Sequence, residues 1–107
     1  MKFTTIEAAG PSSADTEQNL AVARFFAEAA AGDVAALYNL GVIYSTGSHD
    51  CVCDLIEAHK WFNLAASKGH EEAGWCRADI AEEMTAREIS EAQRQAREWL
   101  VAERRAA

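Results

Sequence analysis

Proline is almost missing from this chain of 107 residues: the single one is Pro11. From about Asp15 onward nothing therefore forbids continuous helix, because only a proline ring both removes a helical donor and clashes with the preceding turn. Long alternation of β-branched and polar residues, the mark of strands, is also missing, and Val42-Ile43-Tyr44 is the nearest approach. No run is apolar and long enough to cross a bilayer, and Met1-Lys2-Phe3-Thr4-Thr5-Ile6-Glu7 lacks the apolar stretch of a signal peptide. A basic surface is wanting too. The net charge is −7, with two basic against six acidic residues up to Cys53 and eight against eleven after it. A phosphate backbone demands a basic patch, so nucleic acid is excluded as the expected partner, and a membrane is not expected because the arginines of the last helix alternate with glutamates. Cysteines number three, an odd count that suits a reducing compartment better than a disulfide framework. The expected location is the cytoplasm.

What is present is helix-forming. Half the residues are hydrophobic, alanine is abundant, and Ala gives up no side-chain entropy in a helix. Residues 1–14 carry Gly10-Pro11-Ser12-Ser13 without periodicity and read as a flexible leader. A single helical domain is expected over residues 15–103. In the first helix, capped by Asp15 or Thr16, the apolar stripe Leu20, Ala23, Phe26, Ala27, Ala30 is expected to face inward until Gly32 stops it. Asp33 caps a second helix, with Ala36, Leu37, Leu40, Gly41 and Tyr44 on one face. Asp54 caps a third, carrying Leu55, Ala58, His59, Phe62, Ala65 and Ala66, with Trp61 beside them, and Gly69 ends it. A fourth spans about Glu71 to Met84. Thr85 and Glu88 form a capping box that opens a fifth helix, over about residues 86–103.

The chain also matches itself. Gly32 and Gly69 are 37 residues apart, and at that offset Ala21 meets Ala58, Phe25 meets Phe62, Ala29 meets Ala66 and Ala36 meets Ala73. A period of this size is that of a helix–turn–helix unit stacked on its neighbour. The segment Ala36-x-x-x-Leu40-Gly41-x-x-Tyr44-x-x-Gly47, followed by Asp54-x-x-x-Ala58-x-x-Trp61-Phe62-x-x-Ala65-Ala66-x-x-Gly69-x-x-x-Ala73, resembles the Sel-one-like repeat, a longer relative of the tetratricopeptide repeat. The later Glu88-Ile89 to Trp99-Leu100 stretch is similar to short bacterial members of that family. The resemblance implies an all-α fold, a right-handed α/α superhelix fragment of about five antiparallel helices. One full repeat would run from about 32 to 69 between two half-repeats, closed by a C-terminal capping helix. The last unit departs from the pattern, since Ala78 and Ala81 stand where Gly and Tyr belong.

The implied function is a non-catalytic interaction module that receives a protein or peptide on its concave face. Tyr38, Asn39 and Val42 of the second helix are the candidate contacts, Asn39 because its amide both donates and accepts. Such a short groove implies modest affinity unless the chain self-associates as a weak homodimer through an incompletely covered end. No cofactor is implied. The competing reading is a small metal- or redox-responsive protein using His49, Cys51 and Cys53, although Cys-x-Cys spacing suits a tetrahedral site poorly. The plainer account has both thiols filling space in a loop. His59 is expected to be a satisfied core histidine and His70 to face solvent. No nucleophile–base order and no phosphate loop stands out.

Overall fold

A computed structural model describes residues 13–106, and residues 1–12 of the expected leader lie outside it. The described residues are all-helical, without a strand: α1 Ser13–Ala30, α2 Val34–Thr46, α3 Leu55–Ser67, α4 Glu71–Ala81 and α5 Ala86–Ala106. The first helix begins at Ser13, two residues before the expected cap at Asp15. The fourth ends at Ala81 rather than Met84, in a tight turn where the amides of Glu82, Glu83 and Met84 each donate to the carbonyl three residues back.

Local chemistry explains the boundaries. Asp33 accepts the Ala36 amide at 3.2 Å, and Asp54 accepts those of Ile56 and Glu57 at 3.1 and 3.2 Å. Each cap satisfies donors that the first turn leaves orphaned, worth about 1 kcal/mol apiece. The capping box forms as expected: the Thr85 amide donates to Glu88 Oε1 at 2.8 Å, and the Glu88 amide donates to Thr85 Oγ1 at 3.1 Å. Gly32 and Gly69 both sit in the left-handed region, at φ +94° and +102°, where a side chain is strained. The 37-residue self-match thus pairs two glycines with one shared backbone role.

At the centre lies α3, which packs on α2, α4 and α5, while α1 packs on α2. Trp61, Phe62 and Leu64 of α3, with Leu37, Leu40 and Ile43 of α2, are the largest side chains removed from water. Trp61 keeps its polar edge satisfied by donating from Nε1 to Glu57 Oε2 at 3.0 Å. The last helix closes on α3 through buried Ala92 and Ala96 and through Trp99, whose ring meets Trp61 edge-on at 4.9 Å.

The expected inner stripe of α1 is corrected. Leu20 is 62 % exposed, Phe26 is 36 % exposed, and Ala23, Ala27 and Ala30 are exposed as well. Ala29 is buried instead, and half-buried Phe25 packs against the core. Two adjacent apolar stripes compete on this alanine-rich helix, and periodicity alone does not choose between them. The inward residues are those the repeat aligns with Phe62 and Ala66 of α3.

Gly41 decides how closely α2 and α3 approach. A Cβ there would lie 2.5 Å from two ring carbons of Phe62, whose ring is buried on every side. At Gly74 of α4 a Cβ would meet only Ala66 Cβ, at 3.8 Å, an ordinary contact. Gly41→Ala is expected to lower unfolding free energy by about 1–2 kcal/mol, overpacking outweighing the ~1 kcal/mol gained in helix propensity. Gly74→Ala is expected to be neutral or stabilising by up to ~1 kcal/mol. Urea midpoints of the two variants check this; equal shifts would remove the close-approach account.

Candidate functional site

Asn39 and Val42 lie with Tyr38 on the half-buried side of α2, away from Leu37 and Leu40. Val42 packs partly on the core, and its carbonyl accepts from Ser45 Oγ at 3.1 Å and Thr46 Oγ1 at 2.8 Å. The Asn39 side-chain amide makes no hydrogen bond among the described residues, so both its ends stay available.

Tyr38 is engaged internally. Its ring lies flat on His70, with centroids 4.4 Å apart and planes 13° from parallel, and it also touches Phe62 at 5.8 Å. Burial pushes its phenol up to about 12, with the nearby Cys76 and Glu72 adding to the effect. The hydroxyl therefore stays protonated at any physiological pH. Tyr38 joins α2 to the start of α4 and presents only part of itself to an incoming partner.

His70 does not simply face solvent. It is half-buried and caps α4, Nδ1 accepting the Ala73 amide at 3.1 Å. The residue 37 positions earlier is Asp33, which caps α2 through the amide of Ala36, itself 37 positions before Ala73. An imidazole thus replaces a carboxylate in the same cap and adds a flat surface for Tyr38.

The same offset carries Tyr38 onto Trp75 of α4, a residue that motif and periodicity arguments pass over. Trp75 is 68 % exposed and makes no ring contact among the described residues. Extending the self-match by two further positions, Asp33 to His70 and Tyr38 to Trp75, is the signal that finds both.

The loop between α2 and α3 does not assemble a metal centre. His49 and Asp50 adopt left-handed backbone at φ 57° and 61°, His49 Nδ1 lies 3.3 Å from Ser48 Oγ, and its ring meets Phe25 edge-on at 6.4 Å. Cys53 donates its thiol to the Ser45 carbonyl at 3.5 Å, Cys51 is half-buried, and all three cysteines are free thiols. Among the described residues no three His, Cys, Asp or Glu side chains converge to hold a metal ion. His49 and Cys51 are half-buried in the loop while Cys53 is exposed, and the loop's end is tied down by the Asp54 amide donating to the Tyr44 carbonyl at 2.9 Å.

His59 is buried, as expected of a core histidine, yet it is not satisfied. Only 3 % of it is exposed, and Nδ1 has no hydrogen-bond partner. Among the described residues Trp99 Nε1 is the other buried side-chain polar atom without one, beside a small apolar cavity lined by Ala30, Ala102 and Ala106. In comparisons with protein-family models, curated proteins and solved structures, nothing matches the chain.

Burial, helped by the nearby Arg77 charge, lowers the His59 pKa below its ordinary 6.5. The unfolded chain then takes up a proton at a pH where the folded chain refuses it, so protonation favours unfolding. The stability owed to neutral His59 is complete above about pH 6.5 and is lost as pH falls through the folded-state value. We expect the unfolding free energy to drop between pH 7 and pH 5, and His59→Leu to flatten that drop. Chemical denaturation across this range measures it; an unchanged slope in the variant would assign the drop to other groups.

Proposed function

We propose that this chain is a non-catalytic protein-interaction module, an adaptor or scaffold, built as a fragment of a right-handed α/α superhelix of the Sel-one-like kind. The observation that carries this reading is the serial equivalence of α2 and α4. Both follow a left-handed glycine, both are capped by a side chain on the third amide, and both bury an alanine at that amide. These two helices also touch, through the Tyr38–His70 stack. First helices of successive units lying side by side are what a concave binding face requires.

Asn39 and Val42 supply the polar and apolar contacts of that face, with Tyr38 as its half-covered floor. A peptide or a partner's helix is the occupant such a face takes. The free thiols suit the cytoplasm, where the module would work without a cofactor. Exposed Leu20 and Phe26 on α1 offer an end for weak homodimerisation.

Affinity capture with the immobilised full chain, read by mass spectrometry, tests the face. Asn39→Ala and Val42→Asp should both lose the same captured proteins, by tenfold or more for the buried charge (roughly 1.4 kcal/mol). A control at exposed Gln93 on α5 should retain them. If both α2 variants hold every partner, the binding face lies elsewhere.

A further inference from the structure

Within one chain the repeat shows two states of a single position. Tyr38 and Trp75 occupy equivalent places on α2 and α4, 37 residues apart, and both are aromatic. Around Tyr38 the place is filled: the planar imidazole of His70 lies on the ring at 4.4 Å. Around Trp75 it is open, and the ring is 68 % exposed. A large exposed indole costs solvation free energy unless something covers it. The covered position indicates the shape of the missing group, which is flat and stacks face to face.

The charge around the open ring indicates its sign. Glu71 and Asp79 stand four residues before and after Trp75, on the same side of α4 one turn away in each direction, and both are exposed. Neither has an ion-pair partner among the described residues. Glu82 and Glu83 extend the acidic surface beyond the helix end. Arg77, the one basic residue of α4, is turned to Asn63, its Nη1 donating to Oδ1 at 2.6 Å. A planar group that also carries positive charge is a guanidinium. It stacks on indole and offers donors in a fork that matches carboxylates, whereas an ammonium is a compact, strongly hydrated point charge.

We propose that the outer face of α4 is a docking surface for an arginine-bearing segment of a partner protein, with one guanidinium stacked on Trp75 and paired to Glu71 or Asp79. This rests on the interaction-module reading and deepens it by naming the partner's chemistry. It also places the strongest contact one unit beyond Tyr38, Asn39 and Val42.

The test uses the purified full chain and a fluorescein-labelled peptide with three arginines spaced by glycine and serine, followed by anisotropy at low ionic strength. The expected result is saturable binding that weakens about tenfold on Trp75→Ala and several-fold on Asp79→Asn. Trp75→Phe should retain more affinity than Trp75→Ala, and the equally charged lysine peptide should bind several-fold more weakly. Trp75 is exposed, so Trp75→Ala should keep the helical circular-dichroism spectrum of the parent. Absence of binding, equal affinity for Trp75→Ala, or equal affinity for the lysine peptide would each overturn the proposal, the last reducing it to net charge. So would a concentration-dependent sedimentation shift abolished by Trp75→Ala, which would assign the ring to a second copy of the chain. Running Asn39→Ala and Val42→Asp in parallel separates the two readings. Loss of captured proteins in those variants without arginine-peptide binding overturns this proposal alone, while Trp75-dependent peptide binding with every capture retained supports it and removes only the α2 face.

Discussion

The packing of this chain depends on the absence of one methyl group. With hydrogen alone at Gly41, the Phe62 ring lies directly against the α2 backbone, closer than any side chain would allow. That approach sets the separation of α2 and α3, and the separation decides what else is reached. Leu37 and Leu40 on one helix and Trp61 and Leu64 on the other are dry because the gap between them is narrow. Dispersion contacts weaken steeply with distance, so widening the gap by a fraction of an ångström would loosen all of these at once. The other face of the contact matters equally. Phe62 also touches Tyr38, Tyr38 carries His70, and His70 caps α4, so the start of the next helix is placed by the ring that Gly41 admits.

Much of this was legible from the residues because it is chemistry local in sequence. Asp33, Asp54 and the Thr85–Glu88 box are short-range hydrogen-bond motifs, and they mark helix starts where the structure has them. Gly32 and Gly69 mark turns for an equally local steric reason. The inner face of α1 was not legible in the same way. Leu20 and Phe26 are as apolar as Phe25 and Ala29, and the helix gains about as much from burying either stripe until a neighbour's shape chooses. The repeat alignment held that choice, since Phe25 and Ala29 share a register with Phe62 and Ala66.

The polar groups divide along the same line. A histidine can cap a helix through Nδ1, but Asp, Asn, Ser and Thr do so far more often, so His70 beside Gly69 reads as a surface residue. Only its equivalence to Asp33 reveals the role. The orphaned Nδ1 of His59 depends on what α4 brings near it, and no pattern within α3 encodes that. The binding residues are hardest of all. Exposure of Trp75 is a statement about which neighbours are missing, and a sequence pattern reports the neighbours a residue suits, not those it has.

The contact that sets α2 against α3 is not repeated between α4 and α5. Moving 37 residues on from Gly41 gives Ala78, and from Phe62 gives Trp99. A methyl now stands where the backbone was bare, and an indole where a phenyl ring fitted. The glycine–aromatic contact therefore has no counterpart between α4 and α5. The eight-residue connection after α2 is also cut to four residues after α4, so α5 begins earlier and enters on a different path. It finds its support on α3 instead, with Trp99 edge-on to Trp61 and Ala92 and Ala96 in the core. The small residues of α5 suit that seat, and its charged side turns outward. Freed from a tight partner, α4 keeps one face on α3 through Ala73 and leaves the opposite one to solvent, with Trp75 between two unpaired carboxylates. Where the self-match would set Gly41 and Phe62 again it meets Ala78 and Trp99, and on the same helix Trp75 stays exposed.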